Sequence, residues 1–214
     1  MSVPYDVILD GLFLRYPKLS NQTGNIKKAF QEIVDCYKKK GTLLACGNGG
    51  SASDAEHIVG ELMKGFMNPR KLTDEQKSSL LSACSESGKY LAENLQRGLP
   101  AISLVSQSSL LTAYANDVQP DMNFAQQVFS YGKPQDLLLG ITTSGTSSNV
   151  INAIKVSKAV GMKSILLTGD KNDKFFLLAD VTIHVNETET YKIQELHLPV
   201  YHALCAAVES YFFS

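Results

Sequence analysis

The sequence predicts an α/β fold, a parallel sheet covered by helices on both faces. Two observations carry this expectation. Short β-rich runs recur after turn signals, at "TLLACG" from Thr42, "AISLVS" from Ala101, "DLLLGITT" from Asp136, "KSILLTG" from Lys163 and "VTIHV" from Val181. Helical patterns lie between them, and strands that alternate with helices pair in parallel. With 214 residues, 44% of them hydrophobic and 19% charged, the chain can bury a substantial core and reads as one domain over residues 1–214.

Taken in order, two helices precede the first strand, near Tyr5 to Tyr16 and Ile26 to Lys40, with Gly41 as the break, so residues 1–41 form an N-terminal helical segment. The first strand leads through glycines into a helical pattern that carries His57 and Glu61. Residues 67–98 then interrupt the alternation. Thr73 with Gln76 three residues on has the form of a capping box, and the polar, weakly periodic text around it predicts one or two short helices in an insertion within the domain. Between the third and fourth strands, Ser147 to Val160 sets Val150, Ile151, Ala153 and Ile154 on one face before Gly161 ends the helix. A last helix runs from about Thr190 to Tyr211. Pro199 inside it removes the hydrogen bond to the Glu195 carbonyl and marks the place for a kink.

Composition narrows the partners. Lys and Arg number 20 against 21 Asp and Glu, a net charge of -1, which gives no electrostatic case for nucleic acid or an anionic membrane. The apolar runs are far shorter than the roughly 20 residues that span a bilayer. "MSVPYDVILDGLFLRYPKL" has no cationic leader ahead of an apolar stretch, so the expected location is the cytoplasm. Cys36, Cys46, Cys84 and Cys205 show no paired spacing and read as ordinary buried or partly buried thiols.

In an open α/β sheet the ligand crevice lies beyond the carboxyl ends of the strands. Two loops there share one chemistry. Gly47, Asn48, Gly49, Gly50 and Ser51 follow the first strand and open a helix, offering backbone N–H groups and a helix N-terminus to an anion. Alone, this would equally be a glycine turn. After the third strand, "TTSGTSSN" gathers Thr142, Thr143, Ser144, Ser147 and Ser148 around one glycine, and together the two loops favour phosphate over simple helix caps. Neutral donors without a cationic clamp suit a phosphorylated small molecule that must be released.

His57 and Glu61, four residues apart, share a helix face and can bind a divalent metal, act as an acid/base pair, or form a plain surface pair. In the last helix, Gln194 and His202 are eight residues apart, about two turns and within a quadrant of each other. His197 lies off that face and reads as structural; His184 reads as a strand surface residue.

These residues are similar to a known family. "GNGGSASDAEH" with Glu61, "ANDV" at Ala115 to Val118, "TTSGTSSNVINAI" and "KIQELHLPVYH" resemble the sugar isomerase (SIS) domain from about Thr42 to Val208, and most nearly its phosphoheptose isomerases. The resemblance implies a flavodoxin-like three-layer αβα sandwich with a five-stranded parallel sheet, and a homo-oligomer, commonly a tetramer, with active sites between subunits. It implies a substrate site of Asn48, Gly49, Gly50, Ser51, Asn116, Asp117, Thr142, Thr143, Ser144, Ser147 and Gln194, and zinc held by His57, Glu61, Gln194 and His202. The implied reaction interconverts sedoheptulose 7-phosphate and D-glycero-D-manno-heptose 7-phosphate through an enediol, with Glu61 and His202 as acid and base. Three departures stand out: the insertion at 67–98, Gly65 where an arginine is often found, and Tyr191 where heptose-specific members carry an acidic residue. Other readings of the same loops are an isomerase for another phosphosugar and a non-catalytic SIS module that senses phosphosugars or binds replication or transcription proteins. The complete set of four ligand types argues against the last.

Overall fold

The computed structural model describes residues 3–171 and 174–214. Helices α1 (Tyr5–Arg15) and α2 (Thr23–Lys38) lead into strand β1 (Leu43–Gly47), followed by α3 (Gly50–Met63). The insertion forms α4 (Asp74–Ala83) and α5 (Gly88–Asn94). Then come β2 (Ala101–Ser103), α6 (Ser108–Asp117), α7 (Asn123–Tyr131), β3 (Leu137–Thr142), α8 (Ser148–Ala159), β4 (Lys163–Gly169), β5 (Val181–Val185) and α9 (Thr190–Phe213). The five strands pair in parallel in the order β2-β1-β3-β4-β5, so all five β-rich runs of the sequence are strands of one sheet.

Every residue of β1 and β3 is buried, as expected of central parallel strands covered on both faces. Alternate side chains feed two cores. Leu43, Ala45, Leu137, Leu139, Ile165 and Leu167 pack under α1, α2, α3 and α9, whereas Leu44, Cys46, Leu138 and Leu166 pack under α7 and α8. This is the three-layer sandwich the sequence implies.

The capping box forms as expected: the Gln76 N–H donates to Thr73 Oγ1 at 3.2 Å, and the Thr73 N–H donates to Gln76 Oε1 at 3.0 Å. The insertion leaves and re-enters the domain at one place, since the Leu99 N–H donates to the Leu62 carbonyl at 2.9 Å and the Arg97 N–H to the Arg70 carbonyl at 2.7 Å. The last helix forms over the expected span, α9 being one helix through Pro199, which is itself buried: its flanking Val200, Ala203, Leu204, Ala207 and Val208 are all buried, and that burial outweighs the roughly 3 kcal/mol cost of an interior proline. One expectation changes. His184 is half-buried rather than on the surface, stacked on Phe176 at 4.7 Å and hydrogen bonded to Gln22 at 3.1 Å. Among the described residues no helix is long and apolar enough to cross a membrane.

Candidate active site

Strand register brings the two hydroxyl- and glycine-rich loops together. Gly47 pairs with Ile141, so the residues after β1 and those after β3 emerge side by side at the carboxyl edge of the sheet. Gly49 has φ of 56° and ψ of -122°, a conformation open to glycine, and this turns the chain into α3. The Ser51 N–H donates to the Asn48 carbonyl at 3.0 Å, and the Ser51 side chain is buried. Across from it, Thr142 Oγ1 lies 2.8 Å from Ser147 Oγ and 3.3 Å from Ser144 Oγ. Ser144 Oγ also accepts from the Thr146 N–H at 3.2 Å. Thr143 is half-buried in the same turn.

A clasp joins the loops. Asn48 Nδ2 donates to Asn149 Oδ1 at 2.9 Å, and Asn149 Nδ2 donates back to Asn48 Oδ1 at 2.9 Å. The N-termini of α3 and α8 therefore open onto one patch of neutral donors, the arrangement that suits a phosphate.

The second half of the site lies further along α3, where α9 packs against it. His57 Nε2 is 3.2 Å from Glu61 Oε1, and Lys64 Nζ donates to Glu61 Oε2 at 3.2 Å. The His202 ring is 5.0 Å from that of His57, and His202 Nε2 is buried without a partner. Burial, and next the neighbouring His57, pull the His202 imidazole below its ordinary value. Tyr201 OH donates to Asp54 Oδ1 at 3.2 Å and lies 3.2 Å from His57 Nδ1. Burial, then the Asp54 carboxylate, push the Tyr201 phenol up, so it stays a hydroxyl. Burial raises Asp54 as well, against the Tyr201 hydrogen bond and His57, which lower it.

The donor types suit zinc, and part of their placement does too. Two ligands on tetrahedral zinc with bonds of about 2.05 Å stand about 3.3 Å apart, close to the 3.2 Å between His57 Nε2 and Glu61 Oε1. The orphaned His202 Nε2 is a third donor nearby. Gln194 is not gathered with them: its Nε2 lies over the loop, 2.3 Å from where a Cβ on Gly50 would stand, and His202 is about 12 Å further along α9. Among the described residues no three His, Cys, Asp or Glu side chains close into a ligand group. Asn116 and Asp117 are exposed at the end of α6, where Asn116 Nδ2 donates to Asp117 Oδ1 at 2.8 Å.

A buried ion pair braces the end of α3. Arg70 and Glu209 side chains are both 0% exposed, with Arg70 Nε donating to Glu209 Oε1 at 2.7 Å. Arg70 Nη2 donates to the Glu61 carbonyl at 3.0 Å, and the N–H groups of Phe66, Met67 and Asn68 donate to the Glu209 carboxylate at 2.7, 2.7 and 3.0 Å. Burial would raise Glu209, but these hydrogen bonds outweigh it and hold the carboxyl below its ordinary value. The position of Gly65 excludes the usual arginine, because a Cβ there would come within 2.7 Å of the Asn68 carbonyl. Sequence reasoning passed over Asp54, Lys64, Arg70, Asn149, Tyr201 and Glu209. Asp54 had a local signal, three residues before His57 on the same helix face, and Lys64 follows the end of that helix three residues after Glu61.

Two models of the family described as the SIS domain match residues 17–97 and 75–211. The chain is 36% identical to a phosphoheptose isomerase of Helicobacter pylori strain P12 over 87% of this chain and 84% of that one. It is 35% identical to one of Leptospira biflexa over 96% and 93%. Its fold superposes on the solved phosphoheptose isomerase of Neisseria gonorrhoeae with a TM-score of 0.72, at 32% identity over 92% of this chain and 91% of that one. For the enzyme from Francisella tularensis the TM-score is 0.70, at 29% identity over 86% and 85%. Sheet order, paired donor loops and relatives across nearly the whole length agree: the chain belongs to the SIS-domain family, among its phosphoheptose isomerases.

Proposed function

We propose that the chain is an aldose-ketose isomerase that interconverts sedoheptulose 7-phosphate and D-glycero-D-manno-heptose 7-phosphate. The observation that carries this is the layout of α3. Its N-terminus opens at the clasped donor loops, and Glu61, ten residues after Ser51, stands about 15 Å along the axis at 1.5 Å per residue, the reach of an extended seven-carbon sugar phosphate.

In this reading Ser51, Thr142, Thr143, Ser144 and Ser147, with the backbone N–H groups of Gly49 and Gly50, bind the phosphate and leave the sugar chain lying toward Glu61 and His202. One of that pair removes the proton beside the carbonyl and the other protonates the carbonyl oxygen, which makes the enediol; removal of the proton from the other hydroxyl and delivery of a proton to the former carbonyl carbon complete the exchange. His202, whose pKa is lowered by burial, is present as a neutral imidazole ready to accept a proton. His57, Glu61 and His202 would hold zinc, while Gln194, which lies over the glycine loop, would contact substrate there. When bound, zinc polarises the carbonyl and hydroxyl oxygens of the reacting carbons. A carboxylate or imidazole that holds the metal is not moving a proton at that moment, so the two uses of Glu61 and His202 alternate.

The working form is a homo-oligomer, with a tetramer as the expected state. Helices α4 and α6 have no buried residue in the single chain, which leaves both free to face another copy, and Asn116 and Asp117 would reach substrate from there. Location in the cytoplasm accords with four unpaired cysteines among the described residues. The test is an isomerisation assay on sedoheptulose 7-phosphate and a panel of five- to seven-carbon phosphates, each with and without chelator. Expected is turnover of the seven-carbon pair that chelator abolishes. Bound sugar phosphate without product in any condition would replace this reading with that of a sensing module.

A further inference from the structure

Asp54, His57 and Glu61 occupy one face of α3, at steps of three and four residues. Tyr201, 2% exposed on α9, sits against the Asp54 and His57 part of that face: its hydroxyl meets Asp54 Oδ1 at 3.2 Å and His57 Nδ1 at 3.2 Å, and its ring crosses that of His57 at 5.5 Å. A core tyrosine with only a packing role would need no such partners, and a phenylalanine would fill the space.

The proton order in this row is fixed by counting. An ionised Asp54 only accepts, and the phenol has one proton, so Tyr201 gives it to Asp54. The phenol oxygen is then left as an acceptor, and His57 Nδ1 must carry the proton that it receives. In the neutral ring Nε2 is consequently a bare lone pair, and it faces Glu61 Oε1 at 3.2 Å. Two acceptors at that separation repel unless a positive charge lies between them. The opposite tautomer, with the proton on Nε2, would donate to Glu61 and satisfy the pair internally.

We propose that Tyr201 and Asp54 are positioning residues that set the His57 tautomer and ring plane, keeping the Nε2 lone pair directed at Glu61 so that the two groups together accept a cation. The proposal rests on the reading of His57 and Glu61 as part of the active site. It adds an outer pair of residues that orient the inner one, as partners on the second nitrogen of a metal-binding histidine do.

Two substitutions act on it oppositely in chemistry and alike in outcome. Tyr201→Phe removes the acceptor for Nδ1–H. Asp54→Leu keeps much of the shape but removes the acceptor of the phenol proton, which frees that proton for His57 Nδ1 and drives the ring proton to Nε2. The reading is a long-range proton-nitrogen NMR spectrum of His57 in metal-free protein, above the histidine titration, with circular dichroism as the folding control. Expected is Nδ1–H in the parent and Nε2–H in both variants. An Nε2–H parent, or variants that keep Nδ1–H, would overturn the proposal. Zinc competition against a chelator separates it from the wider reading. A 10- to 100-fold loss of zinc affinity in both folded variants supports it, as expected for loss of such a partner. Tautomers that change as stated in a protein that binds no zinc at all support it while removing the metal from the proposed function. Equal zinc affinity in parent and variants overturns it and leaves the metal site standing.

Discussion

Glu61 and His202 are the residues on which chemistry turns, and their surroundings separate fold from function. Neither contributes the main core packing, so Glu61→Gln and His202→Ala should fold as the parent does. Exchange of the C2 proton of the aldose substrate with solvent should fall by about 100- to 10,000-fold in each, the range for loss of a general acid or base; full exchange in either variant would remove that residue from the role. At this scale legibility depended on sequence distance. Ser51, Thr142 and Ser147 stood out because each sits in a local cluster of hydroxyls or glycines after a strand. Asn149 and Tyr201 did not, because what gives them meaning lies 101 residues away in Asn48 and 144 away in His57. An asparagine in a cap and a tyrosine in an apolar helix look ordinary until the sheet pairs.

Among the elements, the meeting of α3, α9 and the start of the insertion is held by the buried pair of Arg70 and Glu209. Glu209→Gln leaves the Arg70 guanidinium buried without its counter-charge and weakens the acceptance of three backbone N–H groups. The expected loss is about 3 to 5 kcal/mol, the range for breaking a buried pair, read as a melting temperature lower by roughly 10 °C. A shift under about 2 °C would mean that water or rearrangement replaces the pair. Replacing both Arg70 and Glu209 by apolar residues should not restore stability, since the N–H groups of Phe66, Met67 and Asn68 would remain orphaned. The elements themselves were legible where periodicity is strong, as in the five strands and α8. Helix α6 drew no separate expectation, because it buries none of its residues and so has no apolar stripe to read. The span of α9 was legible too, Pro199 included, and the burial of its flanking residues is what lets the local rule against an interior proline yield.

For the molecule as a whole, acid is the informative stress. His197 is fully buried, and burial pulls its imidazole from 6.5 down to about 4, the Thr168 backbone giving only a weaker effect the other way. The sign follows from proton counting: between pH 6.5 and 4 the unfolded chain holds a proton at this residue and the folded chain does not, so stability falls as pH is lowered through that window. The loss approaches about 3 kcal/mol at its lower end. Denaturant titrations from pH 7 to 4 should show it, and His197→Phe should flatten that slope while leaving the further loss below the ordinary 4.5 of Glu209, whose folded value is depressed. An unchanged slope in the variant would assign the acid sensitivity elsewhere. The closed neck of the insertion carries one more consequence, in chain entropy. Because the ladder from Leu62–Leu99 to Arg70–Arg97 already joins its ends, the length of the excursion beyond costs little, about 0.6 kcal/mol per doubling. A short glycine-serine turn in place of residues 72–95 should therefore melt within about 3 °C of the parent. What such a shortened chain then loses, turnover or assembly, would show which of the two the excursion was retained to serve.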